Sequence, residues 1–234
     1  MPDFPKLLVY WYFNGIILSM ESANFDTFFK AVEIEVDKFP SVTLCKKVDS
    51  QKLTMTDYHK YLKIVFHQSF NAPASFALAG GSCDPKQYEI RDYFIKHAEE
   101  ERNHWTWVLG DLAKTGYTGP DLRTELPSTR VSAYIAFNFF VAGRHPVARL
   151  ANAAVLEGIG ATHAKRYAKS ICEQLKLGSD QVYFTLGHSD TDVGHTKDIF
   201  DLLKKSDLTE YEWSWLIHAA KTSAALYRDM YNEE

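Results

Sequence analysis

Two short stretches of the chain concentrate groups that can bind a cation. "GHSDTDVGH", Gly187 to His195, places two histidines and two aspartates in nine residues. Wound as a helix, it puts His188, Asp192 and His195 at i, i+4 and i+7, within an arc of roughly 60°. "KHAEEERNHW", Lys96 to Trp105, repeats that spacing with His97, Glu101 and His104. One segment thus carries H-x-x-x-E-x-x-H and the other H-x-x-x-D-x-x-H. Glu99 and Glu100 fall off the shared face and are expected to be solvated beside Arg102.

A third candidate is Glu157 in "LANAAVLEGIGATHA", a carboxylate in a run otherwise built of small and aliphatic residues. A lone carboxylate on such a face is costly to bury unless it is paired or holds a cation. Gly158 and Gly160 each weaken a helix by roughly 1 kcal/mol relative to Ala. Their use would be close approach of a neighbouring helix or of a substrate to Glu157. The set contains imidazoles and carboxylates but no thiolate, a mixture that suits Fe(II), Mn(II) or Zn(II). Inward Glu, Asp and His from several helices are the recurring ligands of di-iron bundles, where a carboxylate can bridge two metals while each imidazole holds one. Either stretch alone would equally suit a solvated face or a core histidine; their coincidence with Glu157 favours metal.

Positioning such groups requires long helices, and the hydrophobic period supplies them at about 24–38, 54–71, 86–114, 128–143, 146–176, 179–205 and 208–231. Strand signals are scarce, Thr54 and Ser128 are suited to N-caps, and "AGGSCDP" and "TGYTGPDLRTELP" read as breaks. The expectation is an all-α, single-domain bundle of about seven helices over 1–234, with the metal-bearing helices at about 86–114, 146–176 and 179–205. The 234 residues and 46% hydrophobic content are enough for one sizeable core. The formal charge of −4, with Lys and Arg scattered among Asp and Glu, leaves no basic stripe for nucleic acid. Cys45, Cys83 and Cys172 lie far apart, which argues against a zinc knuckle or a disulfide framework and fits a reducing cytoplasm. The apolar run Leu7 to Met20, within the segment 1–20, is interrupted by Asn14 and Gly15 and is shorter than the roughly 20 residues of a membrane span. It is expected to be a buried N-terminal segment.

The stretches "HAEEERNHWTWVLGDL", "LEGIGATHA" and "YFTLGHSDTDVGH" resemble the three metal-binding helices of the heme-oxygenase-like di-iron oxidases, the iron-containing redox enzyme branch of a superfamily that also holds thiaminase II and pyrroloquinoline quinone synthase. The similarity spans about residues 54–205. It implies a heme-oxygenase-like fold and six metal ligands: Glu101 and His104 from the first metal helix, Glu157 from the middle one, and His188, Asp192 and His195 from the last. Some members carry the first carboxylate seven residues before the histidine, where this chain has His97, so His97 is either a ligand or a neighbour of the ligands. The resemblance also implies two Fe(II) ions, O2 as co-substrate, and a small-molecule substrate, a fatty acid or amino acid derivative, that undergoes desaturation, fragmentation, decarboxylation or N-oxygenation.

Two other readings compete. A metal-free enzyme of the thiaminase II or quinone-cofactor synthase type would need a nucleophilic cysteine, for which Cys172 or Cys83 could be offered. A non-catalytic helical binding protein would use the same stripes as core ion pairs. True heme oxygenase would need a proximal histidine on an N-terminal helix, and the first histidine is His59. His67, Trp105, Trp107, Tyr134, Phe137, Phe139, Phe140, Tyr227 and Tyr231 have helical spacing suited to core or cavity wall. "YEWSWLIHAA", with His218, would pack the terminal helix or form a homodimer contact. Arg144 or Lys165 could anchor a substrate carboxylate.

Overall fold

The computed structural model describes residues 20–232, and within them not the side chains of 20–22 and 189–193. The expected burial of segment 1–20 therefore falls outside the described residues. The described chain is helical: α1 (Met20–Asp37), α2 (Thr43–Asp49), α3 (Met55–Ser82), α4 (Tyr88–Glu101), α5 (Trp105–Lys114), α6 (Thr129–Arg144), α7 (Arg149–Ile159), α8 (Lys165–Leu175), α9 (Tyr183–Lys205) and α10 (Glu210–Met230), with no strand among the described residues. Thr54 opens α3 with a capping box to Asp57, and Ser128 caps α6 by accepting from the Val131 amide, both as the sequence predicts. Thr209 and Glu212 form a second capping box at α10.

The middle of the bundle is α7, buried from Arg149 to Val155 and again from Glu157 to Ile159. It can be central because many of its residues are small: three alanines and Gly158 let α1, α9 and α10 pack around it. At Gly158 the approach is tightest, since a Cβ there would lie 2.8 Å from Val36 Cγ2 on α1. Leu150, Ile199, Leu216 and Phe28 meet in the core around it.

Three helices depart from their predicted bounds. The helix expected at 54–71 runs on to Ser82 through Pro73, because Phe76, Ala79 and Gly80 are buried and Gly80 lies close against Ile95 of α4. The single helix expected at 86–114 is two, α4 and α5, joined by a turn at 102–104. The helix expected at 146–176 is α7 and α8 joined by a π-helical stretch, Gly160–Ala164. Such wide turns occur mostly within α-helices and often beside functional groups. The short helix α2 carried too few apolar positions for its period to register.

Candidate metal centre

The site lies where α4, α5, α7 and α9 converge. Asp111, buried on α5, accepts from the amides of Tyr183 (3.0 Å) and Phe184 (2.9 Å), so it caps α9 and ties its start to α5. That fixes the helix carrying the second predicted stripe. His188, one turn further on, donates from Nδ1 to the Phe184 carbonyl at 3.0 Å. The bond turns Nε2 towards His104 and Glu101, the usual arrangement behind a metal-binding imidazole.

Two groups of ligand-type atoms result, with all atoms in each within 4.8 Å of one another: His97, Glu101, Glu157 and His195 in one, Glu101, His104 and His188 in the other. Glu101 belongs to both. In the first group His97 Nε2 is 3.4 Å from Glu157 Oε1, and His195 Nδ1 is 3.5 Å from Glu157 Oε2. In the second, His104 Nδ1 is 2.8 Å from Glu101 Oε2 and 3.1 Å from His188 Nε2. Burial pushes the Glu101 carboxyl up, but the His104 and His188 imidazoles outweigh it and hold the group well below the usual range. Glu157 is likewise pushed up by burial and pulled down further by His195 and His97. His188 is lowered by burial and raised more by Glu101, and His195 is raised by Glu157 against burial.

The residues present fit a metal. Both ring nitrogens of His97, and Nδ1 of His195, are buried without a hydrogen-bond partner among the described residues. Buried polar atoms left unsatisfied are rare, because each costs about 1–3 kcal/mol. These three face carboxylate oxygens at 3.4, 3.5 and 3.8 Å without making a hydrogen bond to them, and a cation between them would satisfy both kinds of group. Aromatic rings close the site: Phe76 meets His97 edge-on at 4.4 Å, Trp107 stacks on His104 at 4.0 Å, and Phe184 lies 4.4 Å from His188.

Of the sequence candidates, the structure brings together Glu101, His104, Glu157, His188, His195 and also His97. The side chain of Asp192 lies outside the described residues; its backbone is part of α9, between His188 and His195. His104 is not on a straight helix with His97, as its spacing suggested, but in the turn after α4, from which it reaches back to Glu101. Glu100, expected to be solvated off the face, is only partly so: its Oε2 lies 3.6 Å from His195 Nε2. Trp107, suited by its spacing to core or cavity wall, stands beside two of the imidazoles. His67 is buried away from both groups.

The two groups open on a cavity of about 140 Å³ that runs along α7 between α2, α3 and α8. Of the three cysteines only Cys45 lines it, and burial pushes that thiol up to about 12. Cys83, raised by burial to about 11, and Cys172, also raised by burial, lie outside it. None is an activated nucleophile.

A family described as iron-containing redox enzymes matches residues 60–228. No curated protein sequence matches the chain. Among solved structures, a domain of unknown function with a heme oxygenase-like fold from Shewanella denitrificans has a TM-score of 0.81 at 20% identity, covering 93% of this chain and 92% of that one. A TenA homologue from Pseudomonas syringae has a TM-score of 0.71 at 13% identity, covering 93% and 95%. Heme oxygenase from Leptospira interrogans has a TM-score of 0.69 at 12% identity, covering 90% and 99%. At these identities the structures show the fold alone, which is heme oxygenase-like.

Proposed function

This chain belongs to the family of iron-containing redox enzymes, and on that footing we propose that it oxidises a small organic substrate with O2 at a pair of iron ions that share Glu101. The observation that carries the proposal is the double membership of that carboxylate. Two groups of imidazole and carboxylate donors meet at one side chain, inside a cavity, and the His97 nitrogens and His195 Nδ1 have no hydrogen-bond partner among the described residues. One ion would be held by His97, Glu101, Glu157 and His195, the other by Glu101, His104 and His188. Asp192, from the predicted stripe on α9, would complete the set. Bound iron would supply the one-electron chemistry with O2 that amino-acid side chains lack.

The chain's own residues do the rest. Glu101 and Glu157 are held anionic by their imidazole neighbours and offset the charge of the ions. The Phe184 carbonyl fixes the His188 tautomer. Phe76, Trp107 and Phe184 keep bulk water from the ligands, and the cavity holds the substrate against them. A metal-free route through a thiol finds no activated cysteine, and the donors without partners weigh against a purely structural reading.

Anaerobic Fe(II) loading tests this. The wild type should bind about two ions per chain, in keeping with bundle carboxylate sites. His104→Ala and His97→Ala should each weaken about one, while Glu101→Ala should weaken both. Absence of iron binding in the folded wild type would overturn the reading, and equal loss from every variant would remove the shared role of Glu101.

A further inference from the structure

The cavity wall contains a cation that no feature of the metal centre requires. Arg149, the first residue of α7, is 2% exposed and lines the cavity. Its Nε and Nη2 donate to Ser75 Oγ at 3.2 and 3.1 Å, and its Nη1 donates to Asn152 Oδ1 at 2.7 Å. The guanidinium lies over the Phe76 ring, 3.8 Å from its centroid. All of these partners are neutral. No carboxylate oxygen among the described residues comes within ion-pair distance, and each terminal nitrogen keeps a second N–H without an acceptor among them. Burial lowers its pKa to about 10, so it remains charged at neutral pH. A buried charge is ordinarily retained only with a counter-charge.

We propose that Arg149 receives the carboxylate of the substrate, a small monocarboxylic acid whose apolar part fills the cavity and presents its reacting carbon to the metal centre. The substrate role rests on the function proposed above, whereas the binding of the acid does not. The two free N–H bonds of the fork match a carboxylate. Eight residues separate Arg149 from Glu157, about 12 Å between their backbones along α7 at 1.5 Å per residue, while the guanidinium shares the Phe76 ring with His97, which sets the acid group beside the metal centre. The cavity lining includes the apolar side chains of Leu44, Val48, Ala72, Leu156 and Ile159. The volume of about 140 Å³ is close to that of cavities that accept benzene, about 150 Å³, which sets the apolar part at roughly six carbons. Larger or doubly charged anions fit less well, because Glu101 and Glu157 line the same space. Arg144 opens instead on a surface groove with His145 and Trp215, and Lys165 is exposed on α8, so neither anchors a ligand here.

Hexanoate is the probe, with hexanol as its neutral counterpart, titrated calorimetrically into metal-free and Zn(II)-loaded protein. Hexanoate should bind the wild type in both forms and bind Arg149→Gln about tenfold or more weakly, the loss expected for charge-assisted hydrogen bonds. Hexanol should bind both proteins alike, and Arg149→Lys should retain part of the preference for the acid. Asn152→Asp guards against a folding defect in the arginine variants. It places a carboxylate beside the guanidinium without changing side-chain size, and it should weaken hexanoate by a similar factor while leaving hexanol unchanged. Failure of hexanoate to bind the wild type would overturn the proposal, as would equal affinity in the wild type and in the folded Arg149 and Asn152 variants. So would binding that requires Zn(II) and ignores Arg149, since the acid would then be a metal ligand. If neither iron nor zinc binds while hexanoate still depends on Arg149, the metal reading falls and this assignment stands.

Discussion

Tyr93 shows how far the polar interior around the candidate metal ligands departs from ordinary packing. Its ring stacks on His97 at 5.4 Å, and its hydroxyl is buried with no hydrogen-bond partner among the described residues. An unsatisfied buried hydroxyl costs about 1–3 kcal/mol, so Tyr93→Phe should leave thermal stability unchanged or raise it. A clear fall in melting temperature would mean that the hydroxyl has a partner in solution. At this scale much of the site was legible in advance. Glu101, His104, Glu157, His188 and His195 follow from residue type and from H-x-x-x-[DE]-x-x-H spacing, and the same pattern flagged His97. Arg149 was not legible, because its neighbours in sequence are a Pro-marked break and an Ala-rich helix. Only the fold of α3 over it shows that a charge has been buried there.

Among the helices, close approach decides what a substitution does. Gly158 and Gly110 are both helical glycines, and an alanine at either would gain about 1 kcal/mol of helix propensity. Gly110 has open space where a Cβ would go, so Gly110→Ala should stabilise by up to that amount. At Gly158 the Cβ would meet Val36 Cγ2 at 2.8 Å. Valine has little freedom to turn away, and overpacking typically costs about 1–3 kcal/mol, so Gly158→Ala should give a net loss. Val36→Ala should cancel most of the extra cost in a double-mutant comparison by denaturant unfolding, whereas simple additivity would show that the two helices do not touch there. The helices themselves were mostly readable from apolar period and caps. What period could not show was the turn at 102–104 and the π-helical stretch after Ile159. Both are set by packing against other helices, which a one-dimensional pattern does not contain.

Taken whole, the molecule joins its first described helix to its last through a buried carboxylate. Glu35 on α1 accepts from Arg228 of α10 at 2.7 Å and from Lys38 at 2.6 Å. Burial alone would raise its carboxyl, but the Lys38 and Arg228 contacts lower it below the ordinary value. The folded-state pKa is thus below that of the unfolded chain, about 4.3. Its contribution is present above that value and is lost as pH falls through the lower, folded-state one. Glu35→Gln should therefore cost about 1–3 kcal/mol near pH 7, and the difference from wild type should shrink between about pH 5 and 3. Parallel stability curves for the two proteins would deny the tie. No helix among the described residues is long and apolar enough to cross a membrane.

The place of Glu101 in its helix has one more consequence. It is the last residue of α4, where the partial negative charge of the helix end already gathers, and a carboxylate there works against local electrostatics. The chain therefore carries a point of local electrostatic frustration at the turn between α4 and α5. On the proposed reading a bound cation reverses the sign of that conflict. In the bare polypeptide the His104 and His188 imidazoles offset the conflict; with an ion in place the same spot would become a clamp across α4, α5, α7 and α9.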